Sequence, residues 1–177
     1  MLIALDTEFT SFQEPLILSI GLVCENGEEF YGELSPDSQQ GQARLIQSSD
    51  FVKEIVSSQF GRFQNASYES ESSLIIAASA WLEVRARCGA THIVFDSEHD
   101  RELLVSAMYS ATPDWANSAV GQLAWANVAD AAAVAVAAEA YETELSKRAQ
   151  SQGISAHHAL ADAAALLAAC RRLARNT

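Results

Sequence analysis

Lysine is nearly absent from this chain. Its 177 residues contain only Lys53 and Lys147, and 11 bases in all stand against 23 acids, for a net charge of −12. A module that grips duplex nucleic acid through its phosphates is normally basic, so the composition argues against a groove-binding DNA module. The exception is a protein whose acids hold cations, because divalent metals invert the local charge logic. Cysteine is scarce too. Cys24, Cys88 and Cys170 are odd in number, far apart and without a CxxC spacing. That excludes a disulfide scaffold and predicts reduced thiols, small buried hydrophobes in a cytoplasmic protein. Glycine (8) and proline (3) are too sparse for a fibrous or low-complexity chain. The apolar run 2–5 stops at Asp6 with no basic segment before it, a pattern not expected of a secretory signal. No apolar stretch reaches the ~18 residues of a membrane span. The charge-free run 115–129 is broken by Asn117, Gly121, Gln122 and Asn127. A soluble protein with no membrane partner is expected.

What is present is a core-forming chain, 49% apolar and 19% charged. Its length fits a single domain over 1–177, and a domain of about this size buries roughly 70% of its unfolded surface. Residues 2–5 (LIAL) and 16–23 (LILSIGLV) read as buried strands. Asn26-Gly27 predicts a hairpin into a third strand at 28–34. Residues 35–70, rich in Ser, Gln and Asn, read as an irregular excursion with one short helix at 50–56, Phe51 and Ile55 facing inward and Val52 and Val56 as further inward candidates. Helical spacing returns at 72–87, where Leu74, Ala78, Trp81 and Leu82 share a face. A strand at 91–95, a helix at 100–109, a loop around Pro113, a strand at 124–128, an alanine-rich helix from Asp130 and a last helix at 157–175 complete the order. The fold class is therefore α/β, with a mixed five-stranded sheet, an antiparallel meander followed by parallel strands, flanked by helices.

Acids gather at the ends of these elements. Asp6 and Glu8 close the first strand, and residues i and i+2 of a strand face the same way, so the pair can flank a hard cation. An acidic pair abruptly ending a buried strand is costly unless it is paired or bound to metal. Asp96, Glu98 and Asp100 follow the fourth strand, at the carboxyl end where open α/β sheets place their sites. Asp96 and Glu98 read more simply as helix caps, as does Asp130. His157, His158 and Asp162 open the last helix. In a continuous helix, spacing puts His158, four residues before Asp162, on the acid's face; His157 reaches that point only from just outside the helix.

Together, LIALDTEFT, HIVFDSEHDREL and His157-His158-Ala-Leu-Ala-Asp162-Ala resemble the three motifs of the DEDDh family of 3′–5′ exonucleases, which have a ribonuclease H-like fold. The resemblance covers nearly the whole chain. It is nearest to small bacterial and phage exoribonucleases of the mycobacterial type, through DTEF and the VKEIV segment at 52–56. It implies that Asp6, Glu8, Asp100 and Asp162 hold two Mg²⁺ or Mn²⁺ ions, about 3.5–4 Å apart in such sites. It implies that His157, rather than His158, is the general base, a role suited to imidazole near neutral pH. Thr7, Phe9 and Thr10 match the segment that touches the terminal nucleotide. Phe9 either stacks on a base or belongs to the core. Trp115 reads as buried, and Arg171, Arg172 and Arg175 as cations favourable to a helix C-terminus.

The activity so implied is metal-dependent hydrolysis of single-stranded RNA or DNA from the 3′ end, RNA ahead of DNA. The alternatives are a catalytically silent binding or adaptor module and a metal-dependent nucleotide phosphohydrolase. A homodimer is compatible with the alanine-rich faces.

Overall fold

A computed structural model describes residues 1–89, 91–120, 123–128 and 131–175. Asp130, read as a helix cap, lies outside them. Among the described residues six strands form one sheet, in the spatial order β4 (Ser67–Tyr68), β3 (Glu29–Leu34), β2 (Ile17–Cys24), β1 (Leu2–Phe9), β5 (His92–Phe95), β6 (Ala124–Asn127). The hairpin at Asn26-Gly27 joins β2 (Ile17–Cys24) to β3 (Glu29–Leu34), and Gly27 supplies the left-handed turn residue at φ 91°. β1 (Leu2–Phe9) pairs antiparallel with β2 and parallel with β5 (His92–Phe95), and β5 pairs parallel with β6 (Ala124–Asn127). The expected α/β class and the order of antiparallel then parallel strands both hold. No helix of the described residues is long and apolar enough to cross a membrane.

Side chains alternate across β1 and divide the core into two layers. Ile3 and Leu5 join Ile20, Leu22, Leu74, Ile75 and Leu104 on the face covered by α2 (Glu71–Ala86) and α3 (Glu98–Ala111). Ala4 joins Val23, Val94, Leu160 and Leu167 on the face covered by α5 (Ala131–Gln152) and α6 (Ala159–Ala174).

The count of five strands is corrected to six. The added strand, β4 (Ser67–Tyr68), is two residues long and pairs parallel with the end of β3; so short a segment carries no apolar alternation. The excursion 35–70 is also more ordered than its composition suggests. It contains α1 (Gln39–Gln47), capped by Ser38, whose Oγ accepts from the Gly41 N–H at 2.9 Å. This helix buries Gly41 and Arg44 rather than an apolar stripe, so periodicity gave no sign of it. Arg44 reaches the Ile17 carbonyl and pairs with Glu71 at 2.7 Å. The short helix is a π-turn at Val52–Val56, and of the four inward candidates only Val52 and Val56 are buried, against Leu18, while Phe51 and Ile55 are exposed. The expected loop around Pro113 includes α4 (Pro113–Ala119), with proline in its first turn.

The placement of α6 depends on Gly21. A Cβ there would lie 2.2 Å from the Ala159 carbonyl oxygen. Gly21 pairs with Asp6 across the β1–β2 ladder, so the same contact brings the start of α6 against the acidic end of β1. Gly21→Ala is expected to push α6 off the sheet and cost about 1–3 kcal/mol, the usual range for overpacking. Urea unfolding would show a lowered midpoint; an unchanged midpoint would refute the close-approach argument.

Candidate metal centre

β1 continues straight through its acids. Asp6 and Glu8 share the α6-facing side of the strand, and Thr7 points to the other side, toward α3. Thr7 donates twice to Asp100 Oδ1, from its backbone N–H at 3.1 Å and its hydroxyl at 2.7 Å. Asp100 sits in the first turn of α3, behind the Ser97 cap, and is 2% exposed. Its second oxygen, Oδ2, is buried without a hydrogen-bond partner. Asp162, in the first turn of α6, accepts from Tyr141 of α5 at 3.0 Å (Oδ1) and from the His157 N–H at 2.7 Å (Oδ2). Three elements thus deliver the four carboxylates implied by the motifs to one open cleft of about 550 Å³.

Within that cleft the ligand atoms form two groups. Those of Asp6, Asp96 and Asp100 all lie within 4.8 Å of one another, and so do those of Glu8, His157 and Asp162. Carboxylate oxygens crowded in this way suit hard divalent cations. The orphaned Asp100 Oδ2 is the clearest single sign of a missing partner, because a buried polar atom normally has one. Each group brings together at least two carboxylates that could hold a divalent cation, and in the second the His157 imidazole stands beside those of Glu8 and Asp162.

The electrostatics report the same crowding. Burial, then the charges of Asp162 and Asp100, push Glu8 up to about 8. Burial pushes Asp100 up to about 7; the Thr7 hydroxyl opposes this and the charge of Asp96 adds to it. Asp6 is held well above the usual carboxylate range by burial and by Asp100, Glu8, Asp162 and Asp96. Asp162 is raised by burial against the two donors that stabilise its charge.

The two histidines have different environments. α6 begins at Ala159, so both lie outside the helix, and the spacing argument for His158 fails. His158 is 2% exposed, stacked on Tyr31 at 4.4 Å and 28°, and neither ring nitrogen has a partner. Burial lowers it to about 4, so it is a neutral ring in the core. His157 is exposed, takes a left-handed φ of 65°, and places its ring beside Glu8 and Asp162. The edge-to-face contact with Phe51, at 4.9 Å and 87°, flanks it.

Among the nucleotide-contact candidates, Thr7 is 4% exposed and engaged with Asp100. Thr10 is buried; its hydroxyl donates to the Glu14 carbonyl at 2.7 Å and accepts from the Leu16 N–H at 3.1 Å, closing the loop after β1. Phe9 lines the cleft in an aromatic group with Phe12 and His99. Phe12, 74% exposed, was not singled out in the sequence, because a phenylalanine in a polar loop carries no periodic signal. Asp96 is a cleft residue rather than the cap of α3, a role Ser97 fills. Glu98 faces away, bonded by Asn127 at 2.9 Å and paired with Arg101 at 3.6 Å. Trp115 packs against the core, and Arg171 reaches the Glu25 carbonyl. No protein-family model matches the chain, and no curated protein matches it.

The raised values mean that the native acids bind protons more tightly than the unfolded chain does. Their contribution to stability is full below the unfolded carboxyl range near pH 4 and is lost as pH rises through about 7 for Asp100 and about 8 for Glu8. In EDTA the melting temperature is expected to fall progressively between about pH 4 and 8, and Mn²⁺ to restore it at the alkaline end. Glu8→Gln should raise the metal-free melting temperature at high pH and blunt the Mn²⁺ response. A flat pH profile for the parent protein would contradict this account.

Proposed function

We propose that this chain is a divalent-metal-dependent 3′–5′ exonuclease of ribonuclease H-like fold, acting on single-stranded nucleic acid with RNA ahead of DNA. The observation that carries the proposal is the convergence of Asp6, Glu8, Asp100, Asp162 and the His157 imidazole in one cleft, from motifs 94 residues apart or more at their extremes (Asp6 to Asp100, Asp6 to Asp162). When bound, two Mg²⁺ or Mn²⁺ ions supply Lewis-acid stabilisation of charge on the phosphate and the leaving 3′-oxygen. The four carboxylates hold them, with Asp96 beside Asp6 and Asp100 as a fifth acid. Thr7 and Tyr141 fix the carboxylates of Asp100 and Asp162. His157, open to solvent next to Glu8, takes the proton of the attacking water. The acidic surface is no obstacle, since the cations rather than lysines would meet the scissile phosphate.

Two exposed rings border the cleft, Phe12 on the β1 side and Phe51 beside His157. Bases stack on such rings without regard to sequence. That arrangement favours a short grip on the end of a single strand. Phe12→Ala is expected to raise KM roughly 5- to 150-fold, the equivalent of about 1–3 kcal/mol of stacking, with little change in kcat. Kinetics on a short oligonucleotide would check this, and an unaltered KM would remove Phe12 from the binding surface.

The central experiment is degradation of 5′-labelled single-stranded RNA and DNA of one sequence with Mn²⁺, Mg²⁺ or EDTA. A metal-dependent ladder shortening from the 3′ end is expected, absent in Asp6→Asn. His157→Ala should slow it about 10²- to 10⁴-fold while Mn²⁺ binding persists. Cleavage of mononucleotides but of neither polymer would replace this proposal with a nucleotide phosphohydrolase. Metal binding with no hydrolysis would replace it with a binding module.

A further inference from the structure

Segment 57–62 of the excursion carries no motif, yet it touches the candidate base. His157 holds φ 65°, a left-handed conformation that a residue with a Cβ rarely adopts. Such a conformation persists only where surrounding contacts over-determine it. Here they do so from both sides. The His157 N–H donates to Asp162 Oδ2 at 2.7 Å. Its carbonyl accepts from Gln59 Nε2 at 3.1 Å, and the same amide nitrogen donates to the Ala156 carbonyl at 2.8 Å. Gln59 Oε1 accepts from the Ser155 N–H at 2.9 Å and the Ser155 hydroxyl at 3.2 Å. One side-chain amide therefore engages three consecutive residues, 155 to 157, and is 5% exposed while doing so.

Gln59 is itself braced. Next to it, the Gly61 N–H donates at 2.7 Å to Glu33 Oε1, from a fully buried carboxyl on β3. Arg62 reaches the Gly153 carbonyl at 2.6 Å and the Ser58 carbonyl at 3.3 Å. Val52 and Val56 pack on Leu18 of β2. A continuous path of contacts thus runs from the sheet, through residues 52–62, to the backbone of His157.

We propose that Gln59 is a positioning residue, whose amide fixes the left-handed turn that aims the His157 imidazole at Glu8 and Asp162. Its kinetic consequence rests on the exonuclease proposal; its structural consequence does not. Without the amide, the carbonyls of residues 156 and 157 lose their donors and the turn relaxes toward negative φ, carrying the ring out of the cleft. Asp6, Glu8 and Asp100 stand on β1 and α3, and Asp162 keeps Tyr141, so the carboxylates stay in place.

The test compares the parent with Gln59→Leu, which keeps bulk and loses every bond, and Gln59→Glu, which keeps the acceptor for Ser155 and loses the donors. Three quantities are read: steady-state kinetics on labelled single-stranded RNA, Mn²⁺ affinity, and the NMR shifts of the histidine ring protons in metal-free protein. Both variants should lose about 10- to 100-fold in kcat, since misplacement of a catalytic group by about 1 Å costs on the order of 10²-fold. KM and Mn²⁺ affinity should stay within about twofold of the parent, in keeping with a loss confined to the transition state. The ring-current shift that Phe51 imposes on His157 should collapse, while that of His158 on Tyr31 persists. Unchanged kcat, an unchanged His157 shift, or a joint loss of kcat, Mn²⁺ affinity and the His158 shift would overturn the proposal, the last by showing a merely structural role. If the parent cleaves no polymer, the exonuclease proposal fails, and the ring shifts alone still decide whether Gln59 positions His157.

Discussion

Like charges at close range repel, and at one end of this sheet the fold holds Asp6, Glu8, Asp96, Asp100 and Asp162 together against that repulsion. Much of the surrounding structure can be read as the means of doing so. Thr7, on the strand that bears Asp6 and Glu8, ties down Asp100 on α3. Tyr141 on α5 and the His157 backbone tie down Asp162 on α6. Gly21 lets the start of α6 approach the sheet at all. Each hydrogen bond stabilises a charge that burial and its neighbours destabilise, and in no case does it restore the ordinary carboxylate range. A cluster left in that state is a liability to the apoprotein. A divalent cation held among them would offset the liability, because each carboxylate would gain an attraction to set against the repulsion of its neighbours.

The acids of this cleft were legible in the sequence wherever a strand end or helix start made their position informative. Asp6 and Glu8 follow an uninterrupted apolar run, and Asp162 opens a helix with a clear apolar stripe; position alone left Asp100 level with Asp96 and Glu98, and the family resemblance singled it out. The hairpin at Asn26-Gly27 was equally plain. Segments that fold by polar contacts were not. α1 is held by a serine cap and by Arg44, whose guanidinium reaches a β2 carbonyl and Glu71. β4 has only two residues. Helical spacing in 50–56 does not decide between the Phe51/Ile55 face and the Val52/Val56 face; the π-turn buries Val52 and Val56 and leaves Phe51 on the cleft beside His157. Asp96 was read as a cap, the commoner role for an acid before a helix, and Ser97 occupies that role instead.

The choice between His157 and His158 shows how a boundary of one or two residues decides chemistry. Spacing alone favours His158, because it assumes the helix already includes both histidines. The carbonyl of His158 accepts the N–H groups of Ala161 and Asp162, which makes His158 the residue that precedes the first turn. Its extended backbone sends the ring toward β3, where Tyr31 and Phe63 enclose it and burial keeps it neutral. The ring of His157 then emerges on the other side, over the carboxylates. The stack on Tyr31 and the close approach at Gly21 both act at this boundary. A helix begun one turn earlier would break the His158 stack and lose the bond from the His157 N–H to Asp162. The residue before the cap is therefore the one position in this segment from which an imidazole can meet Asp162 without joining its helix, and the left-handed backbone of His157 is the conformational cost of occupying it.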